Sequence, residues 1–223
     1  MISSVFISKD LNEVEPLKEK LEIDEIKLHA SSLIKFKPVE FNIDKDFDVV
    51  FFSSSRAVYY FLSHVHVSKL KDKKIACSGN KTAEFIKKYK LKIDFIPSQP
   101  GNISQSKNEF HDWLENKGVL FPCSNLSLKS FIKGLPGYQY NVVNIYQTIY
   151  NSIEINNCDA YVFSSPSNVI SFFQKNNLNA SALIISWGES TSKCLIKYGF
   201  KSNYTLKYGD LNELLSIFDK IND

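Results

Sequence analysis

Short apolar runs alternate along this chain with longer stretches of helical period, the pattern of strand–helix–strand units in an α/β fold. The opening run, Met1-Ile-Ser-Ser-Val-Phe-Ile-Ser8, predicts a first strand, with a helix following to about Leu21. Asp48-Val-Val-Phe-Phe52 predicts a strand, Ser53-Ser-Ser55 a polar turn and Arg56 to His64 a helix. Lys74-Ile-Ala-Cys77, Ser78-Gly-Asn-Lys81 and Thr82-Ala-Glu-Phe-Ile-Lys-Lys-Tyr89 give the next strand, turn and helix. Val119-Leu-Phe121 is again a strand, with Pro122-Cys-Ser-Asn125 as its turn and a helix to about Lys133.

The pattern then recurs. Asp159-Ala-Tyr-Val-Phe163 repeats Asp48-Val-Val-Phe-Phe52, and Ser164-Ser-Pro-Ser-Asn-Val169 repeats Ser53-Ser-Ser-Arg-Ala-Val58, at a register of 111 residues (48 to 159). Gly188-Glu-Ser-Thr-Ser192 repeats Gly79-Asn-Lys-Thr-Ala83 at a register of 109 (79 to 188). Two matches in order, at nearly one register, point to an internal duplication. The first strand and helix precede the first repeat, and the second repeat is short of strands for a flavodoxin-like sheet. The first strand is therefore expected to complete the sheet of the C-terminal half, with the chain crossing between lobes twice. The expected architecture is α/β, with two flavodoxin-like lobes of parallel sheets joined by a two-stranded antiparallel β linker. Residues 1–33 with 150–223 form one discontinuous lobe and 39–143 an inserted lobe, with linkers at about 34–38 and 144–149.

In open α/β sheets, ligands bind outside the carboxyl ends of the strands. The turns there, at 53–56, 78–82, 122–125, 164–168 and 186–191, are rich in hydroxyls, amides and glycine, and Glu189 is their carboxylate. Helix N-termini with hydroxyl donors suit an anion, and the turns are expected to face one shared cleft. The bland alternative is that Ser, Thr and Asn at these places are N-caps. No GxxxxGK[ST], GxGxxG or GxSxG motif occurs, so the usual equipment for nucleotide, hydride or acyl chemistry is missing.

Composition narrows the rest. A formal net charge of +3 on 223 residues argues against a nucleic-acid binder, and the lysine clusters at 69–74 and 87–92 are expected on solvated surfaces. No apolar stretch approaches the roughly 18 residues of a membrane helix. The first run lacks the basic start and cleavage pattern of a signal peptide. Cys77, Cys123, Cys158 and Cys194 are scattered, and His29, His64, His66 and His111 make no ligand spacing with them. Reduced thiols, a cytoplasmic location and no metal site are the expectations.

The joint order of several motifs resembles uroporphyrinogen-III synthase. The matching stretches are Phe52-Ser-Ser-Ser-Arg-Ala-Val58, Gly79-Asn-Lys-Thr-Ala83, Leu120-Phe-Pro-Cys-Ser-Asn125, Val142-Val-Asn-Ile-Tyr-Gln-Thr148, Phe163-Ser-Ser-Pro-Ser167 and Gly188-Glu-Ser-Thr191. Ser124, where members often carry glycine, and Ser192, in place of the usual alanine, depart from the pattern. The resemblance implies an enzyme that closes the linear tetrapyrrole hydroxymethylbilane, a carrier of eight carboxylates, to uroporphyrinogen III. The last pyrrole is inverted, water is lost and no cofactor is used. Tyr146 would then assist loss of the substrate hydroxyl; a phenol, with an ordinary pKa of about 10, acts as a donor. Tyr150, four residues on, fits the motif less well. Ser53, Ser54, Arg56, Gly79, Thr82, Asn125, Ser165, Ser167, Gly188 and Thr191 would contact substrate, with the glycines allowing close backbone approach. Arg56 would pair with an acetate or propionate, or stay a surface helix residue. The expected protein is a monomer that touches neither nucleic acid nor membrane, and a transient contact with the preceding pathway enzyme is compatible with the resemblance. The competing accounts are a non-catalytic two-lobed hinge protein for a small anionic ligand, and a receiver-type interaction module. The latter requires an acidic cluster that the turns do not supply.

Overall fold

The structure is a computed structural model that describes residues 2–222. Met1, which the sequence places in the first strand, lies outside the described residues, as does Asp223. The chain divides into two compact units, Met1–Lys35 with Ile149–Asp223 and Phe36–Thr148.

In the discontinuous unit, β1 (Ser4–Ile7), α1 (Glu15–Ile23) and β2 (Lys27–Ala30) come from the N-terminal segment. From the C-terminal segment come β8 (Ala160–Phe163), α5 (Pro166–Phe173), β9 (Leu183–Ser186), α6 (Glu189–Lys197), β10 (Tyr204–Thr205) and α7 (Leu211–Asn222). Its sheet has the order β10-β9-β8-β1-β2, with every neighbouring pair parallel. The first strand thus lies between β2 and β8, inside the sheet of the C-terminal half.

The second unit contains most of β3 (Ile34–Pro38), then β4 (Val49–Phe52), α2 (Ser55–Leu62), β5 (Lys74–Cys77), α3 (Asn80–Lys87), α4 (Ile103–Leu114), β6 (Val119–Ser124) and most of β7 (Tyr140–Tyr150). The sheet order is β3-β7-β6-β4-β5. The pairs β4–β5, β4–β6 and β6–β7 are parallel. Hydrogen bonds from Val39 N–H to the Ile145 carbonyl (3.0 Å) and from Asn151 N–H to the Leu33 carbonyl (2.8 Å) run β3 antiparallel to β7. Residues 144–149, expected as a linker, are the continuation of β7.

The inner strands β1, β4, β6 and β8 are buried on both faces, which is why they read as near-continuous apolar runs. Alternate residues of β4 enter different cores: Val50 and Phe52 pack with Ala57, Val58 and Phe61 of α2, while Val49 and Phe51 pack with Phe110 and Leu114 of α4. Phe51 is enclosed by the rings of Phe110, Phe121 and Phe131 at 4.6, 5.2 and 4.6 Å. In the other unit Val5 and Ile7 face one core and Phe6 the other.

Two local expectations are corrected. Pro122-Cys-Ser124 is strand rather than turn, and Ser130–Ile132 form a single 3-10 turn where a helix was expected. Pairing of β6 with β4 covers only Val119 and Leu120, so the N–H that Pro122 lacks interrupts no ladder there. Lys129 takes a left-handed conformation (φ 53°), which ends any helix before it starts.

The duplication extends beyond the sequence matches. Ile75 N–H donates to Asp94 Oδ2 (2.9 Å) and Ile184 N–H to Asn203 Oδ1 (2.8 Å). The bridge between Ala76 and Phe95 is matched by Ile185 with Tyr204. By this correspondence β8, β9, β1 and β2 are the counterparts of β4, β5, β6 and β7, so one repeat is circularly permuted relative to the other. At the amino ends of the strands, Asp48 accepts from Gly118 N–H (2.8 Å), and its counterpart Asp159 accepts from the N–H and hydroxyl groups of Ser3 and Ser4 at 2.7–3.0 Å. These donors, the Ser3 hydroxyl first, lower the Asp159 pKa to about 2. A depressed carboxylate pKa stabilises the fold above the unfolded value of about 3.9 and loses that contribution as pH falls through about 2. Asp159→Asn should lower Tm by about 2–4 °C at pH 7, for a loss on the order of 1 kcal/mol after solvent screening. The gap between the two proteins should close between about pH 4 and 2; a gap constant across that range would show that the charge plays no part.

Candidate active site

The turns at the carboxyl ends divide into matched sets. In the inserted unit Ser54 has extended backbone (φ −162°, ψ 156°) and its hydroxyl oxygen accepts from Ala57 N–H at 3.2 Å. In the other unit Ser165 has φ −163° and ψ 159°, and accepts from Asn168 N–H at 3.3 Å. Both are N-caps, as their composition allows, and the caps leave other first-turn N–H groups of α2 and α5 without intrahelical partners. Ser53 contributes its carbonyl to the Ser78 hydroxyl (2.9 Å), tying the first two turns together. Ser167 lies half-buried in the first turn of α5.

Thr82 and Thr191, also counterparts, are 5% and 2% exposed. Neither hydroxyl has a hydrogen-bond partner among the described residues, and neither is sealed from solvent, since no sealed side-chain polar atom there lacks a partner. The glycines differ. Gly79 and Gly188 are both extended (φ 166° and 170°). A Cβ on Gly79 would stand 2.9 Å from Pro100 Cβ, whereas one on Gly188 would meet nothing within 4 Å. Packing therefore explains Gly79, and the space in front of Gly188 is open.

Asn125 is committed to structure. Its Oδ1 accepts from Thr148 N–H (2.8 Å) and its Nδ2 donates to the Thr148 carbonyl (3.4 Å), clamping β7 beside β6. Glu189, the carboxylate of these turns, is held below the usual range by its hydrogen bond with Lys193, one helical turn on. Burial pushes the thiols of Cys77, Cys123, Cys158 and Cys194 up, away from the reactive thiolate. Among the described residues no three His, Cys, Asp or Glu side chains are grouped to hold a metal ion.

Tyr146 sits at an irregularity. Cys123 pairs with Asn144, but Ser124 pairs with Tyr146, so β7 carries an extra residue at that point. In a regular strand Ile145 and Tyr146 would face opposite sides; across the bulge both join the same core cluster. The Tyr146 ring stacks on Tyr60 (5.0 Å between centroids, 18° between planes) and meets Phe36 edge-on at 6.0 Å. The ring is buried, yet its hydroxyl has no partner among the described residues and is not sealed. Arg56 completes the cluster, with its guanidinium 3.5 Å from the centroid of Phe36. Tyr150 falls in the other unit, where burial, with Tyr198 and Cys194 nearby, raises its pKa.

Two features escape the sequence reading. Tyr60, whose phenol pKa is raised by burial, is one helical turn from Arg56, and that spacing was the available signal. Ser8, at the end of β1, donates to Ser164 Oγ (3.1 Å) and accepts from Ser164 N–H (2.8 Å). Asn168 reinforces this turn, donating to Ser164 Oγ and Ser165 Oγ and accepting from Leu33 N–H. Only the position of Ser8 at a strand's carboxyl end could have flagged it.

Largely parallel sheets with hydroxyl-rich strand-to-helix turns, set in two duplicated units, define an α/β protein with helix N-termini at its strand ends and no metal-ligand cluster among the described residues. The structures most like it include uroporphyrinogen-III synthetase of Helicobacter pylori, at TM-score 0.70 and 17% identity over 99% of this chain and 100% of that one. A mutant uroporphyrinogen III synthase of the extremely thermophilic bacterium Thermus thermophilus aligns at TM-score 0.65 and 14% identity over 98% of both. At such identities these likenesses establish the fold. No curated protein sequence matches the chain. The family model of uroporphyrinogen-III synthase HemD matches residues 15–215, and the chain belongs to that family. Among the described residues no helix is long and apolar enough to cross a membrane.

Proposed function

We propose that this chain, as a uroporphyrinogen-III synthase, closes hydroxymethylbilane to uroporphyrinogen III, and that Tyr146 donates the proton that lets the substrate hydroxyl leave. The observation that carries the role of Tyr146 is its placement: a buried, stacked ring at a strand bulge whose hydroxyl is open and unpartnered among the described residues. The C–O bond breaks with its electrons on oxygen, the phenol supplies the proton and water departs. The proton released after ring closure restores the phenol. The azafulvene so formed can close unaided to the wrong isomer, so what remains for the protein is positional. Ser53, Ser54, Arg56, Thr82, Ser165, Ser167 and Thr191 serve the carboxylates of the substrate, with Gly188 giving backbone approach. Asn125 acts through Thr148 on the strand that bears Tyr146, and Gly79 acts through packing. The antiparallel pair β3 and β7 links the two units, and the enzyme works as a cytoplasmic monomer without a cofactor. Contact with the preceding enzyme is at most transient.

The test is isomer analysis. Hydroxymethylbilane generated in situ is mixed with the protein, and the oxidised products are separated into type I and type III porphyrins. Type III should dominate; type I alone, from folded protein, would refute the assignment.

A further inference from the structure

The inserted unit holds a depression of about 390 Å³ lined by Ser54, Ser55, Arg56, Tyr59, Tyr60 and Phe85. That is the small end of the range for ligand sites, about 300–1,000 Å³. It has room for one ring and its substituents, and is too small for a chain of four rings. Its walls combine aromatic surface with one cation. Tyr59 and Tyr60 meet edge to face (5.2 Å, 75°), and Tyr60 also stacks on Tyr146 (5.0 Å, 18°).

Arg56 is the only arginine in a chain that otherwise uses lysine for its 27 basic residues. It is exposed and pairs with no carboxylate among the described residues. Its guanidinium carbon lies 3.5 Å from the centroid of Phe36, an aromatic contact that uses the face of the group and none of its N–H donors. A guanidinium with no carboxylate partner among the described residues, beside an aromatic recess, suits a planar ring that carries a carboxylate, because the fork of N–H groups matches both carboxylate oxygens.

We infer that this depression is the subsite for a single pyrrole ring of the substrate, packed against Tyr59 and Tyr60, with one of its carboxylates on Arg56. The assignment rests on the synthase reading and deepens it. Tyr60 then has two roles: it forms the wall of the subsite and holds the Tyr146 ring, so the bound pyrrole and the proton donor share one aromatic partition. Tyr59 and Tyr60 thereby become specificity-determining residues for the ring that is held.

The experiment uses the full chain with two readouts: kinetics with hydroxymethylbilane, and NMR titration with a monopyrrole carrying one acetate and one propionate. Arg56 is exposed and Tyr59 is 52% exposed, so Arg56→Gln and Tyr59→Ala should melt as the unsubstituted protein does. Arg56→Gln should raise KM by about 10- to 100-fold, far more than it lowers kcat, and weaken the monopyrrole equally. Arg56→Lys should not restore binding, since an ammonium neither forks nor stacks as guanidinium does. Tyr59→Ala should weaken the monopyrrole and raise KM about 3- to 30-fold, the range of a lost ring contact. The subsite is overturned if the unsubstituted protein makes type III product while all three variants keep its KM and its monopyrrole titration. If that protein makes type I alone, the synthase reading fails, and the monopyrrole titration then decides the subsite by itself.

Discussion

Tyr146→Phe is expected to lower kcat by about 10- to 10⁴-fold, the span of a lost general acid, with KM and thermal stability nearly unchanged. The stability part follows from the environment. The ring contributes its stack on Tyr60 and its edge contact with Phe36, and phenylalanine keeps both. The hydroxyl has no partner among the described residues, so removing it strands no buried donor or acceptor. Alanine would be the wrong probe, because emptying a buried aromatic site costs about 3–5 kcal/mol and confuses folding with chemistry. The product should also report the mechanism. Slower loss of the hydroxyl on the enzyme lets uncatalysed closure compete, so the type I share should rise as enzyme concentration is reduced. Kinetics like those of the unsubstituted protein would remove Tyr146 from the reaction.

The bulge at Tyr146 was not legible in the sequence, although the sequence singles out Tyr146 itself. The residue could be named from the Tyr-x-Thr motif. The extra residue in β7 depends on how that strand pairs with β6, and nothing in Val142-Val-Asn-Ile-Tyr146 announces a break in period. The turns were legible for a simpler reason. Ser54 and Ser165 do a local job, capping the helix that follows, and a local job leaves a local signature. Their opposite is Asn125, whose composition suggests a turn but whose amide serves Thr148 across the sheet. Pro122 misled in the same way, since a proline argues for a turn unless its missing N–H falls outside the ladder. The duplication ran deeper than its matches because different residues fill the same structural role. Asp94 and Asn203 each accept one backbone N–H, and Phe95 and Tyr204 each bridge the edge of a sheet. Such equivalence lies in hydrogen bonds rather than letters. Tyr60 escaped notice because an aromatic on the face of a helix is ordinarily core, and only its stack on Tyr146 separates it from Phe61.

Alanine at the two counterpart glycines should give opposite results. Gly188→Ala is expected to fold normally and lose about 10- to 100-fold in kcat/KM. The backbone there is extended, a region alanine adopts freely, and its Cβ would meet nothing within 4 Å. Two smaller terms nearly cancel. Alanine is the poorer N-cap by several tenths of a kcal/mol or more, and it narrows the unfolded ensemble by about 0.4–1 kcal/mol. A methyl at this opening therefore has little effect on stability but occupies space through which the substrate would approach the first turn of α6, beside the open Thr191 hydroxyl. Gly79→Ala has the same backbone and the same two terms, plus a Cβ 2.9 Å from Pro100. Neither proline nor backbone yields easily, so that variant should lose about 1–3 kcal/mol and melt several degrees lower. Melting curves and kcat/KM on both proteins make the comparison. If Gly188→Ala is as active as the parent, the opening in front of α6 is not where substrate lies, and the glycine there is neutral. If Gly79→Ala melts with the parent, the Pro100 contact relaxes at no cost and packing no longer accounts for Gly79.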